Sequence, residues 1–184
     1  MDSHIRTDKK RIVFPGTFDP FTAGHLDVAK RTLLICDELY IAVFDNSNKV
    51  PVADRARRVN LIRKSLDSKD QVKVIAADGL LVDFCLQHGI GTIVRGIRNL
   101  SQYEEEEAMA QINRLMGKGI DTLFLPALPG MRHVSSSLVR ELLRLGAEVE
   151  DLVPPAIKSD IVDIYGKTSG DEADMSPQGG RTHE

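Results

Sequence analysis

The segment Pro15-Gly16-Thr17-Phe18-Asp19-Pro20-Phe21-Thr22-Ala23-Gly24-His25 carries the residue types and spacing best suited to chemistry. It follows an apolar run, Ile12-Val13-Phe14, that reads as a buried strand, and it leads into Leu26–Cys36, which reads as a helix. A strand, a Gly/Pro turn and a helix N-terminus form a phosphate site, because backbone N–H groups and the positive helix end face the ligand. The closing Thr-x-Gly-His adds an imidazole at that helix start. A histidine there suits nucleotidyl transfer, donating to a phosphate oxygen that gains charge. The plainer reading of His25 is a helix cap or a core histidine. Its neighbour Gly24, which leaves room for a close phosphate, favours the functional one.

Further candidates recur after other predicted strands. Thr17 follows the first strand and suits a phosphate contact, while Thr22 reads as an N-cap and Asp19 and Pro20 as turn formers. Lys49 lies in the turn-rich Asn46-Ser47-Asn48-Lys49-Val50-Pro51. Arg95-Gly96-Ile97-Arg98 places two guanidiniums about a glycine, and arginine's planar fork matches phosphate. Glu104–Glu107 reads as opening a helix, where carboxylates complement the dipole; taken alone, that plain reading is preferred. Ser135-Ser136-Ser137 opens another helix, for capping or for anion binding. The chain contains no GxxxxGK[ST] sequence, and Gly89-Ile90-Gly91 precedes a strand, so it is not a dinucleotide fingerprint.

These residues need a scaffold that gathers strand ends. The spacing predicts strands at 11–14, 39–44, 72–76, 92–94 and 122–125, and helices at 24–36, 54–66, 80–88, 104–115 and 136–145. Val59, Ile62 and Leu66 share one helical face, as do Leu81, Phe84, Cys85 and His88. A last helix near 155–165 has Pro155 in its first turn. Alternating strands and helices imply one doubly wound, Rossmann-like α/β domain with a five-stranded parallel sheet. Ligands of such folds sit at the carboxyl ends of the strands, where strand order reverses. In the common order the first and fourth strands flank that reversal, so the Thr17/His25 and Arg95/Arg98 clusters should face one another.

At 184 residues the chain suits one domain, expected at 11–166, between polar tails at 1–10 and 167–184 that lack the apolar content to fold. A formal charge of −3 draws the protein to neither nucleic acid nor anionic membrane. Cys36 and Cys85 read as free, buried thiols rather than a disulfide or a metal cluster. With no signal-type segment and no long apolar run, a reducing cytoplasm is expected.

The Thr-x-Gly-His motif, Arg95-Gly96-Ile97-Arg98 and Val134-Ser135-Ser136-Ser137-Leu138-Val139-Arg140 together resemble bacterial phosphopantetheine adenylyltransferases over about residues 11–165. The resemblance implies transfer of AMP from ATP to 4′-phosphopantetheine, giving dephospho-coenzyme A and pyrophosphate. It further implies a requirement for Mg²⁺ and inhibition by coenzyme A as a feedback ligand. The family assembles as a hexamer, a dimer of trimers. It implies His25 as the transition-state stabiliser, with Lys49 and Arg98 also catalytic. Nucleotide contacts fall to Thr17, Phe18, His25, Gly96, Ile97, Arg98, Glu106 and the stretch Met131, Arg132, His133, Val134, Ser135, Ser136, Ser137. Acceptor contacts fall to Thr17, Lys49, Leu81 and Arg95. The chain departs from the pattern at Glu105, where Tyr is common, at Met131-Arg132-His133, where aromatics are common, and at Val50, where a second Lys is common. The rivals are a different nucleotidyltransferase, one that makes a nucleotide–alcohol or dinucleotide cofactor product, and a catalytically silent nucleotide or coenzyme A sensor on the same fold. Thr22 argues against the His-x-Gly-His of glycerol-phosphate cytidylyltransferases.

Overall fold

Strand β1 (Arg11–Gly16) is the central strand of a five-stranded parallel sheet ordered β3-β2-β1-β4-β5, in a computed structural model that describes residues 9–45, 50–66 and 70–166. The other strands are β2 (Glu38–Val43), β3 (Val72–Ala76), β4 (Thr92–Ile97) and β5 (Asp121–Pro126). Between and after them come α1 (Ala23–Leu33), α2 (Arg55–Ser65), α3 (Leu81–His88), α4 (Leu100–Met116), α5 (Ser136–Arg144) and α6 (Lys158–Tyr165). β1 pairs with β2 on one side and with β4 on the other, through Ile12 with Thr92 and Val13 with Ile93. The reversal of strand order therefore falls between β1 and β4, as the sequence predicts.

The two-residue period of the strands sorts the core into two layers. Ile12, Phe14, Leu39, Ile41 and Val43 join Val28, Ile62, Val139, Ile157 and Ile161 in one cluster, with side chains from α1, α2, α5 and α6. Val13, Tyr40, Ala42 and Ile93 join Val82, Phe84 and Cys85 of α3 in the other. At the amino end of the sheet the carboxylate of Glu38 accepts from Lys9, Arg11 and Lys73, tying the starts of three strands together.

Several element ends differ from expectation. β4 runs on to Ile97, because pairing with β5 continues through Gly96 with Leu125 and Ile97 with Pro126; cross-strand bonding outweighs the polar Arg95. Arg95 is thus in the strand rather than after it. α4 starts at Leu100, not at the glutamates: the Asn99 side chain accepts from the Gln102 N–H and caps the helix four residues early. Glu104–Glu107 therefore do not open a helix. The last helix opens with a 3₁₀ turn at Pro155–Ile157. Cys36 lies beyond the end of α1 and is only partly buried, whereas Cys85 is buried and its thiol is pushed up to about 11 by desolvation.

Candidate active site

The turn from β1 to α1 is built around a capping box. The Thr22 hydroxyl accepts from the His25 N–H, and His25 Nδ1 accepts from the Thr22 N–H at 3.1 Å. A backbone N–H can only donate, so Nδ1 must be the unprotonated nitrogen. Burial, then the charges of Arg98 and Arg95, lower the imidazole pKa from its ordinary 6.5 to about 3. The ring is therefore neutral at pH 7 and carries its proton on Nε2. Among the described residues no hydrogen bond engages that Nε2–H. Phe18 meets the ring edge-on at 5.1 Å and Phe21 stacks on it at 5.6 Å, so aromatic rings flank it on two sides.

Phe18 itself is buried at φ +53°, a left-handed conformation costly for a bulky residue. Gly16 makes this possible: a Cβ there would lie 2.8 Å from the Phe18 ring. The side chain of Phe18 is core, so a nucleotide contact at this position would come from its backbone.

Across the β1/β4 boundary stand the two arginines. Arg95 donates through Nε to Glu106 at 2.8 Å and through Nη1 to the Pro15 carbonyl at 2.6 Å, and its Nη2 also meets Glu106. Arg98 donates through Nε and through its own backbone N–H to Gln102 Oε1, both at 3.2 Å, and through Nη1 to the Val134 carbonyl. Two cavities meet here. The first, about 240 Å³, is lined by His25, Gly24, Arg98, Gln102, Met131 and Ser135–Ser137 among others. The second, about 400 Å³, is lined by Thr17, Leu81, Glu106, Met109, Asn113 and Thr122 among others. Gly16 and Arg95 line both. Thr122 Oγ1 is buried without a hydrogen-bond partner among the described residues.

Two residues on the far side of the turn hold it. The Asp19 carboxylate accepts from the Val52 and Ala53 N–H groups and from the Tyr165 hydroxyl of α6. Arg58, 1 % exposed, donates to the carbonyls of Thr17, Phe44 and Ala53 and pairs with Asp45. Asp19, expected only to shape a turn, thus joins three separate segments.

The sequence-predicted residues fall into groups. Thr17, Leu81, Arg95 and Glu106 share the second cavity, so Glu106, expected among the nucleotide contacts, lines the same cavity as residues expected to contact the acceptor. His25, Gly96, Arg98, Met131, Val134 and the three serines share the first. Ser135 caps α5 by accepting from the Leu138 N–H, and Ser136 donates to the Pro20 carbonyl. Ile97 is half-buried, Arg132 and His133 are exposed, and none of them lines either cavity. Lys49 lies outside the described residues. Gln102, Asp27, Asn113, Thr122 and Arg58 were not anticipated. The Asn99-x-x-Gln102 spacing is a helix-start signature that could have flagged the first of these.

The model of the Cytidylyltransferase-like family matches residues 13–142. A solved structure from Vibrio parahaemolyticus, described as a nicotinate-nucleotide adenylyltransferase, superposes with a TM-score of 0.64 at 16% identity. It covers 88% of this chain and 98% of its own, a likeness of fold. Curated relatives named phosphopantetheine adenylyltransferase are more similar in sequence. The one from Bifidobacterium longum is 42% identical over 84% of this chain and 94% of its own length. The one from Streptomyces coelicolor is 43% identical over 80% and 92%. The chain belongs to the Cytidylyltransferase-like nucleotidyltransferases and, among them, to the phosphopantetheine adenylyltransferase family.

Proposed function

We propose that the protein transfers AMP from ATP to 4′-phosphopantetheine, forming dephospho-coenzyme A and pyrophosphate, the penultimate step of coenzyme A synthesis. The observation that carries this reading is His25, its Nδ1 tied to the Thr22 N–H and its Nε2 turned to no partner among the described residues, beside two arginines where two cavities join. ATP occupies the first cavity and the acceptor the second. Arg95, which lines both, meets the acceptor phosphate as it approaches the α-phosphorus. The acceptor phosphate is already anionic, so the reaction needs no strong base. An acceptor oxygen bonds to the α-phosphorus as the bond to pyrophosphate breaks. The work is to bring two anions together in line and to neutralise charge as it moves. Arg95 and Lys49 hold the acceptor phosphate, Arg98 holds the leaving pyrophosphate, and His25 donates to a non-bridging α-oxygen.

Among the described residues no three His, Cys, Asp or Glu side chains cluster as a metal cage. Asp27 lines the first cavity, so Mg²⁺ arriving with ATP would be held chiefly by phosphates and water, with that carboxylate in the same cavity. Such an ion would offset phosphate charge. Coenzyme A, which contains the acceptor's arm, competes for the same cavities as an inhibitor.

The assembly is a homohexamer, a dimer of trimers. In its support, α4 has no buried residue and exposes Leu100, Tyr103, Met109, Ile112, Leu115 and Met116. The compartment is the cytoplasm, consistent with two free thiols and with the finding that no described helix is long and apolar enough to cross a membrane.

The test is pyrophosphate release with ATP, Mg²⁺ and 4′-phosphopantetheine, beside nicotinamide mononucleotide and, with CTP, glycerol 3-phosphate. Release with phosphopantetheine alone is expected. Release with a different acceptor would overturn the substrate. No release from folded protein that still binds ATP would leave a nucleotide sensor.

A further inference from the structure

The two arginines are held by two residues one helical turn apart on α4. Gln102 and Glu106 stand at i and i+4, hence on one helix face. Glu106 takes Arg95 and Gln102 takes Arg98. The holders differ in charge. Glu106 pairs with Arg95 as an ion pair, whereas Gln102 is neutral.

The orientation of the Gln102 amide is fixed by its surroundings. Oε1 faces two obligate donors, the Arg98 backbone N–H and Nε–H, and Nε2 faces an obligate acceptor, the Gly96 carbonyl, at 3.3 Å. One side chain thus bonds the backbone at both ends of Gly96-Ile97-Arg98 and the guanidinium of Arg98. It also lines the first cavity. A carboxylate in its place could accept the same two N–H groups, but it would cancel much of the Arg98 charge and would set an anion against the Gly96 carbonyl.

We infer that Gln102 is a positioning residue for nucleotide binding: it aims the Arg98 guanidinium into the first cavity while leaving its positive charge available to the polyphosphate. This inference rests on the proposed placement of ATP in that cavity. Its remaining N–H donors, beyond those bound to Gln102 and Val134, then face phosphate oxygens. Arg95, whose charge Glu106 already offsets, works on the other side of the site. The pairing divides the labour: the fully charged arginine goes to the more highly charged ligand.

The test uses the full chain as Gln102→Glu and Gln102→Ala, with ATP affinity by calorimetry, KM for each substrate, and thermal unfolding. Gln102→Glu keeps the size and both Arg98 bonds and loses only the bond to the Gly96 carbonyl, so a residue of purely structural role would affect ATP and acceptor binding alike. The expected result is a folded Glu variant whose ATP affinity and ATP KM worsen on the order of tenfold or more, the scale of a new charge a few ångströms from phosphate. The acceptor KM should stay within about twofold. Gln102→Ala, which frees Arg98, should also weaken ATP but less than the Glu variant. Wild-type ATP affinity in both variants would overturn the inference, as would equal losses for ATP and acceptor. If the wild type released no pyrophosphate with any acceptor, the proposed reaction would fail. The calorimetric comparison of ATP binding would still decide the role of Gln102.

Discussion

On the proposed function His25 does two jobs, and the capping box allows them to be separated. Its Nδ1 closes the box at the start of α1, and its Nε2–H is left for a ligand. His25→Ala removes both, costing a cap worth about 1 kcal/mol and cutting turnover by on the order of 10²-fold. His25→Gln retains an acceptor suited to the third helical position, so it should unfold near the wild-type temperature yet lose turnover to the same extent. Near-normal pyrophosphate release in either variant would remove His25 from the chemistry. The imidazole also dictates an acid response. Its folded pKa is about 3 against an ordinary 6.5. Between those values the unfolded chain binds a proton there that the folded chain refuses, so its contribution to stability is complete above about pH 7 and declines as pH falls through that window. The ring-proton NMR shift of His25 should accordingly stay flat from pH 8 to 5, and a midpoint near 6.5 would contradict this. For Arg95, replacement by Ala should weaken acceptor binding in calorimetry much more than ATP binding. The motif around His25 was legible because its signals are local: a Pro-Gly turn, a threonine cap and an apolar strand before it. The tautomer was not, since it depends on which backbone group the ring meets.

Helix α1 carries His25 and packs on β4 through Val28 and Gly96. A Cβ on Gly96 would lie 2.9 Å from Val28 Cγ2, so Gly96→Ala forces the Val28 side chain, or the helix that carries it, to shift. Overpacking of that kind costs about 1–3 kcal/mol. Adding Val28→Ala should restore part of the loss. Urea unfolding of the two single variants and the double variant measures the coupling, and additive effects would show that the contact is not felt. Gly96 thus has a packing reason of its own, beside its place between the two arginines. The strand and helix pattern was recoverable from spacing, but two boundaries at the site were not. β4 is lengthened by its bonds to β5, which no reading of 92–97 alone contains. α4 is lengthened by the Asn99 cap, whose signal was present and was masked by the run of glutamates. That error of one turn is what hid Gln102.

The last helix is part of the same scaffold as the first turn. Tyr165 donates to Asp19 at 2.7 Å across 146 positions of sequence. Burial, then that bond, push its phenol far above the usual range, so it stays protonated and donates. Tyr165→Phe keeps the ring in the core and removes only the donor, and a loss of about 1.5–3 kcal/mol in chemical denaturation is expected, the range for a bond to a charged group. Ile112→Glu with Leu115→Glu should lower the mass seen by light scattering from about six chains to fewer, while the monomer stays folded because neither side chain is buried within it. An unchanged mass would move the contact surface off α4.

The chain's periodicities and turn chemistry were enough to specify a doubly wound sheet, a Gly/Pro turn running into a capped helix start, and arginines and serines at neighbouring strand ends. Each of those is a property of a few consecutive residues. The partners of those residues were a different matter. Glu106 on Arg95, Gln102 on Arg98, Arg58 beneath Thr17 and Tyr165 on Asp19 are encounters between distant or out-of-phase positions. They exist only once strand order and helix packing have brought the segments together, because hydrogen bonds act over about 3 Å and take no account of separation along the chain.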